Sequence, residues 1–134
     1  MTVIQDFIDR IFEDQYQTQF GPAKSLAEQS DTVTLTREVA GELVAVLQAR
    51  ISLANAHITS LVVAPSQQGQ GLGRSLLGEF EGLAKDRGIT SITLSTKSYQ
   101  AEGFYKIVGY QVYGELQDVP QKGITKYHMV KYLS

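Results

Sequence analysis

Over residues 3–20 the apolar positions Val3, Ile4, Phe7, Ile8, Ile11 and Phe12 recur three or four apart, with Asp6, Asp9, Arg10, Glu13 and Asp14 between them. That spacing predicts an amphipathic helix whose apolar face calls for cover, by the domain's own sheet in preference to a partner or second copy. Gly21-Pro22 stops it, and Ala23 to Gln29 predicts a short second helix with Pro22 at its first position. From Thr32 the period drops to two. Thr32, Thr34 and Thr36 alternate with Val33 and Leu35, as on a half-buried strand running to Val39. Ala40-Gly41-Glu42 reads as a hairpin turn, Leu43 to Leu53 as the return strand, Asn55-Ala56 as a further turn, and His57 to Val63 as a third strand.

Beyond residue 71 the period lengthens again. Leu72, Leu76, Leu77, Phe80, Leu83 and Ala84 share one face of a helix over Leu72 to Arg87, with Gly88 suited to follow its end. Ile89 to Thr96 predicts a strand, and the helical crossover makes it parallel to the strand ending at Val63. Tyr99 to Val108 predicts a helix ended by Gly109. Two strands, Tyr110 to Leu116 and Ile124 to Leu133, then form an antiparallel pair. The order predicts an α/β (mixed α+β) fold: one domain over 1–134, a mixed sheet flanked by helices, with an N-terminal helical segment at 1–30.

Candidate chemistry concentrates between the third strand and the helix that follows it. Gly69, Gly71 and Gly73 alternate in the connecting loop, where glycine permits positive φ or close approach of a ligand to the backbone. The unpaired N–H groups of the helix start, with the positive end of the helix dipole, favour a phosphate group. Named nucleotide motifs do not fit. A Walker A loop ending at Ser75 requires glycine at 68 and lysine at 74, where the chain has Gln68 and Arg74. A dinucleotide fingerprint requires glycine or alanine at 74 or 76, where Arg74 and Leu76 stand.

What the loop does match is Gln68-x-x-Gly71-x-Gly73 between a strand and a helix, which resembles the signature of the GNAT superfamily of acyl-CoA-dependent N-acetyltransferases. Downstream, Ala101-Glu102-Gly103-Phe104-Tyr105-Lys106-Ile107-Val108-Gly109-Tyr110 is similar to a second segment of that family, A-x-x-F-Y-x-x-x-G-(F/Y). The resemblance covers about residues 32 to 133, with the cofactor-binding core at 57–110. Full-length members carry a strand before the first helix; none is read here, so the N-terminus is expected to be shortened.

The resemblance implies acetyl-CoA as acyl donor, without a metal. It implies a cofactor surface of Leu61, Val62 and Val63, of the loop and helix start Gln68, Gly69, Gln70, Gly71, Leu72, Gly73, Arg74 and Ser75, and of Ser98, Phe104 and Tyr105. Backbone N–H groups of the loop would hold the pyrophosphate, and the pantetheine arm would lie along the strand at Leu61 and Val63, as strand addition by a ligand. Gln68 replaces the arginine, and Ser98 the asparagine, of many relatives. The implied reaction is attack by a neutral amine on the thioester through a tetrahedral intermediate, with Val62 or Val63 N–H at the oxyanion. Tyr105, on the tyrosine of the family's F-Y pair, serves the leaving thiolate or else packs as core. His57, four residues before Leu61, matches the offset of a catalytic glutamate in one branch of the family. It is a candidate base, set against ordered water or the acceptor itself; His128 is a weaker one.

Composition narrows the classes. The 134 residues are 43% hydrophobic and 19% charged with a net charge of −2, and contain no cysteine and two histidines. There is no thiolate nucleophile, no run of Lys and Arg for nucleic acid, and no apolar stretch of the ~18 residues that span a bilayer. The N-terminus lacks a signal-peptide pattern, so a cytoplasmic location is expected. Expected partners are a small-molecule or peptide amine and, as in many similar proteins, a second copy in a homodimer. Glu38, Glu42, Glu102, Glu115 and Asp118 are compatible with a cationic acceptor or with ordinary surface. The alternative to an enzyme is a non-catalytic acyl-CoA-binding or sensing module, which needs no acid at the sulfur.

Overall fold

The computed structural model describes residues 2–21 and 30–134. The helix expected at 23–29 lies outside them. Two compact units are distinguished, residues 1–31 and 32–134. In the first, α1 (Val3–Phe20) starts on Thr2, whose hydroxyl accepts from the Gln5 N–H at 3.0 Å, and ends at Gly21 with φ 84°. No residue of α1 is buried.

The remaining elements are β1 (Ser30–Val39), β2 (Glu42–Ser52), β3 (Asn55–Val63), α2 (Leu72–Asp86), β4 (Ser91–Lys97), α3 (Glu102–Ile107), β5 (Gln111–Gln117) and β6 (Thr125–Tyr132). They form a six-stranded mixed sheet in the order β1-β2-β3-β4-β6-β5. β3 and β4 are parallel, as the α2 crossover requires, while β2–β3, β4–β6 and β5–β6 are antiparallel. The last strand therefore inserts between β4 and β5.

Elements expected from periodicity are present, with shifted ends. The turn after β2 lies at Leu53-Ala54 rather than Asn55-Ala56, because Asn55 already pairs with Ser52 and Ser91. The segment before α3 is a turn, not a helix from Tyr99. There the Gln100 side chain accepts from the Lys97 N–H at 3.0 Å and the Thr96 hydroxyl accepts from the Ala101 N–H at 3.3 Å, so local side-chain bonds replace a helical turn.

The core forms where α2 lays Leu76, Leu77, Phe80 and Ala84 on Leu47, Ile92, Leu94 and Met129 of the sheet. Each large side chain buried this way contributes roughly 1.5–3 kcal/mol. On β4 the alternation is strict: Ile92, Leu94 and Thr96 are buried beneath the helices, and Ser91, Thr93, Ser95 and Lys97 occupy the opposite face. No helix of the described residues is long and apolar enough to cross a membrane.

Candidate active site

The site begins with a defect in β3. Ala49 pairs with Ile58 but Gln48 pairs with Ser60, so Thr59 is an extra residue, and its hydroxyl donates back to the Gln48 carbonyl at 3.2 Å. A bulge bends its strand and increases the local twist. Pairing between β3 and β4 stops two residues before the bulge: it runs through Asn55–Ser91, Ala56–Ile92 and His57–Thr93 and goes no further. Beyond His57 the two strands splay, leaving the β4-side edge of β3 without a strand partner. An amide-bearing ligand has backbone groups to pair with there.

At the end of β3 the loop is pinned by the Gln68 side-chain amide, which donates to the Val63 carbonyl at 3.1 Å. Gly69 and Gly71 have φ of 82° and 79°, a region costly to any residue with a Cβ. Gly71 is also the N-cap of α2 and offers no side chain to the first helical N–H groups, so those donors remain for a ligand. A Cβ at Gly71 would meet nothing within 4 Å, whereas Gly73 lies against Val63 and Phe104.

These features open on a cavity of about 730 Å³ that brings together Leu61, Val63, Gln68, Gly69, Gly71, Leu72, Gly73, Arg74, Phe104 and Tyr105. The lining fits acetyl-CoA. Uncapped helix donors with Arg74 suit a pyrophosphate, the open β3 edge suits the amides of the arm, and Leu61, Val63, Leu72 and Phe104 suit its methylenes. Tyr99, Gln100 and Ala101 also line the cavity and were not expected from the sequence. Their signal was topological: they follow the carboxyl end of a parallel strand, where ligands of open α/β sheets bind.

Other expected residues stand elsewhere. Val62 points to the opposite face and lines a second cavity, of about 260 Å³, within the splay. The Ser75 hydroxyl accepts from Arg37 at 3.0 Å, and Arg37 also pairs with Glu79 at 2.8 Å. The Ser98 hydroxyl accepts from the Thr125 N–H at 3.2 Å, tying the turn after β4 to β6. Gln70 lines neither cavity. His57 also lines neither; its Nδ1 lies 2.9 Å from the Thr93 hydroxyl in the last paired rung. Burial lowers its pKa below 6.5, with Arg50, His128 and Lys126 adding to the shift, so the ring is neutral at pH 7.

Tyr105 lines both cavities. It is 7% exposed and packs edge-on against Phe104 and Tyr110 at 5.2 and 5.7 Å between ring centroids. The Tyr110 hydroxyl donates to Glu81 at 2.9 Å. The Tyr105 hydroxyl has no hydrogen-bond partner among the described residues, and it is not sealed away. Burial pushes its pKa up to about 12. It therefore stays protonated and can donate a hydrogen bond where the two cavities meet.

Comparison with known proteins agrees with this geometry. A family model described as "Acetyltransferase (GNAT) domain" matches residues 4–133. The blasticidin-S acetyltransferase of Streptomyces morookaense is 34% identical over 94 residues, covering 69% of this chain and 68% of that protein. The crystal structure of an acetyltransferase from Bacillus cereus superposes with a TM-score of 0.82 at 30% identity, over 99% of this chain and 94% of that one. An N-acetyltransferase from Thermoplasma acidophilum, solved in complex with coenzyme A, shares the fold with a TM-score of 0.64 at 24% identity, over 77% of this chain and 62% of that one. With its glycine loop, splayed strands and tyrosine at their junction, the chain belongs to the GNAT acetyltransferase family.

Proposed function

We propose that this protein moves an acetyl group from acetyl-CoA to a primary amine by direct attack in a ternary complex. The observation that carries the reading is the position of Tyr105, which lines both the cofactor-sized cavity and the cavity of the splay and whose hydroxyl has no partner among the described residues. Donor and acceptor can enter from opposite faces of the sheet and meet where Leu61, Gln100, Ala101 and Tyr105 line both cavities. Acetyl-CoA supplies an activated carbonyl: the amine nitrogen bonds to carbon, the carbon–sulfur bond breaks with its electron pair going to sulfur, and one proton leaves nitrogen.

Residues of this chain then divide the work. The loop N–H groups and Arg74 hold the phosphates, and the open edge of β3 orients the arm. Backbone N–H groups of β3 near Val62 and Val63 are the donors available to charge developing on the carbonyl oxygen. Tyr105 donates a hydrogen bond to the departing sulfur. With its pKa near 12 against ~8.5 for a thiol, it stabilises the thiolate rather than surrendering its proton outright. The proton from nitrogen leaves toward the open face on which neutral His57 stands.

Calorimetric titration with acetyl-CoA, followed by thiol release across a library of primary amines, tests this reading. Saturable binding with amine-dependent thiol release is expected. Binding with no release against any amine would make the protein a cofactor-binding module.

A further inference from the structure

The face of the sheet away from α2 and α3 carries an uncompensated positive charge at the mouth of the splay. Alternation puts Thr93, Ser95 and Lys97 of β4 on that face, and the register sets Ser95 opposite His128 and Lys97 opposite Lys126. On the other side, His57 contacts Thr93 and stands opposite Arg50. Two lysines directly across a strand pair repel each other, an arrangement that costs stability. Neither Lys97 nor Lys126 nor Arg50 has an ion-pair partner among the described residues.

Five acids of the second unit act elsewhere. Glu102 pairs with Lys106 at 2.7 Å, Glu79 with Arg37 at 2.8 Å and Glu81 with Lys131 at 3.0 Å. Glu115 acts on Lys106 of α3, and the Asp118 carboxylate accepts from the Gly123 N–H at 2.8 Å. The cavity of the splay is lined by Ser60, Ser95, Lys97, Gln100 and Tyr105 among others, and no acid is among its lining residues. Local rules broken without structural compensation are found where a ligand supplies the missing partner.

Resting on the transferase reading, we propose that the acceptor is a primary amine that also carries a carboxylate, an amino acid or a close analogue, with the carboxylate held by Lys97 and Lys126 and hydroxyls beside them. The carboxylate relieves the lysine pair. The same positive field disfavours a protonated amine, so the nitrogen arrives with its lone pair free, bonds to the acetyl carbon as the carbon–sulfur bond breaks, and loses its proton to solvent. A polyamine, bringing a second cation and no anion, is repelled.

Matched acceptors decide it. Phenylalanine, phenylalaninamide and phenethylamine, and likewise lysine, lysinamide and cadaverine, are compared by thiol release at fixed acetyl-CoA. The acid is expected to exceed its amide and decarboxylated partner by ~10-fold or more in kcat/KM, the effect of one charge-assisted contact. In the double variant Lys97→Gln, Lys126→Gln the acid should lose that advantage while the KM for acetyl-CoA holds, and Lys97→Arg should retain it. Removing a like-charge pair leaves the double variant at least as stable, which thermal unfolding checks. Preference for the amides or decarboxylated amines overturns the inference and leaves the transferase reading standing. Preference for aminoethylphosphonate over β-alanine overturns the carboxylate in favour of a phosphoryl group. Failure of every amine, charged or not, overturns the transferase reading and this inference with it.

Discussion

Two tyrosines in contact show how one residue type is divided between structure and chemistry. Tyr110 is fastened through its hydroxyl to Glu81, and burial, reinforced by that carboxylate, drives its pKa far upward. Tyr105, 5.7 Å away, keeps its hydroxyl for a ligand. Replacing Tyr105 by Phe removes an oxygen without disturbing the ring contacts. The loss acts where charge gathers on sulfur, so kcat should fall ~10- to 10³-fold with the KM for acetyl-CoA nearly unchanged. Steady-state kinetics with a competent amine measures it, and wild-type turnover would assign Tyr105 to the core.

His57 makes a prediction of a different kind, about pH. Its pKa in the folded protein lies below the 6.5 of the free side chain, so the unfolded chain binds more protons between the two values. Stability from this group is complete above pH 6.5 and is lost as pH falls through the lowered value. Urea midpoints of the wild type should decline over that window, and those of His57→Gln should decline less. If the ring also relays the amine's proton, His57→Ala lowers kcat/KM by ~10²-fold and removes the acidic limb of the rate profile. A limb that survives leaves His57 as a strand residue bonded to Thr93.

At the scale of elements, the bulge at Thr59 governs the site more than any single lining residue does. It follows the last rung between β3 and β4 by two residues, and bending β3 there frees the edge that the cofactor arm needs. Deleting Thr59 lets Ser60 follow Ile58 in an uninterrupted register with Gln48 and Ala49. The shortened chain should fold but bind acetyl-CoA at least ~10-fold more weakly, read by calorimetry, because β3 and β4 can then pair further along. Undiminished affinity would separate the splay from the bulge. The neighbouring turn, held by Thr96, Gln100 and Ser98, in turn fixes where α3 begins and hence where Tyr105 points.

At the scale of the second unit, distant segments are joined around Glu81. This carboxylate of α2 accepts from the Tyr110 hydroxyl at 2.9 Å and from Lys131 of β6 at 3.0 Å, while Lys131 also donates to the Val108 carbonyl at 3.0 Å, at the end of α3. One cluster thus ties the helix that supplies phosphate donors to the helix that supplies Tyr105. Glu81→Leu takes the acceptor from a buried hydroxyl and leaves a half-buried ammonium with the Val108 carbonyl but no counter-charge, and should cost ~2 kcal/mol by urea unfolding at unchanged m-value. Adding Lys131→Met should cost less than the sum of the two single changes, since both remove the same contact. Additive losses would show that the two residues act independently.

The sequence by itself determined whatever depends on neighbours along the chain. The period of two predicted β1 and β2, the period of 3.6 predicted the Leu76–Leu77–Phe80–Ala84 face, and the alternating glycines predicted a loop free to take positive φ or to approach a ligand, which Gly69 and Gly71 do with φ of 82° and 79°. A parallel β3–β4 pair followed from the crossover helix. Tertiary structure alone decided matters that depend on residues far apart. The insertion of β6 between β4 and β5 sets Lys126 against Lys97 across 29 positions of chain, and no local period encodes that choice. Ser75 and Ser98, plausible ligand contacts by position, are bonded to Arg37 and Thr125 because β1 and β6 arrive beside them. The bulge at Thr59 is equally hidden, since an extra residue is defined only against the strand it fails to match.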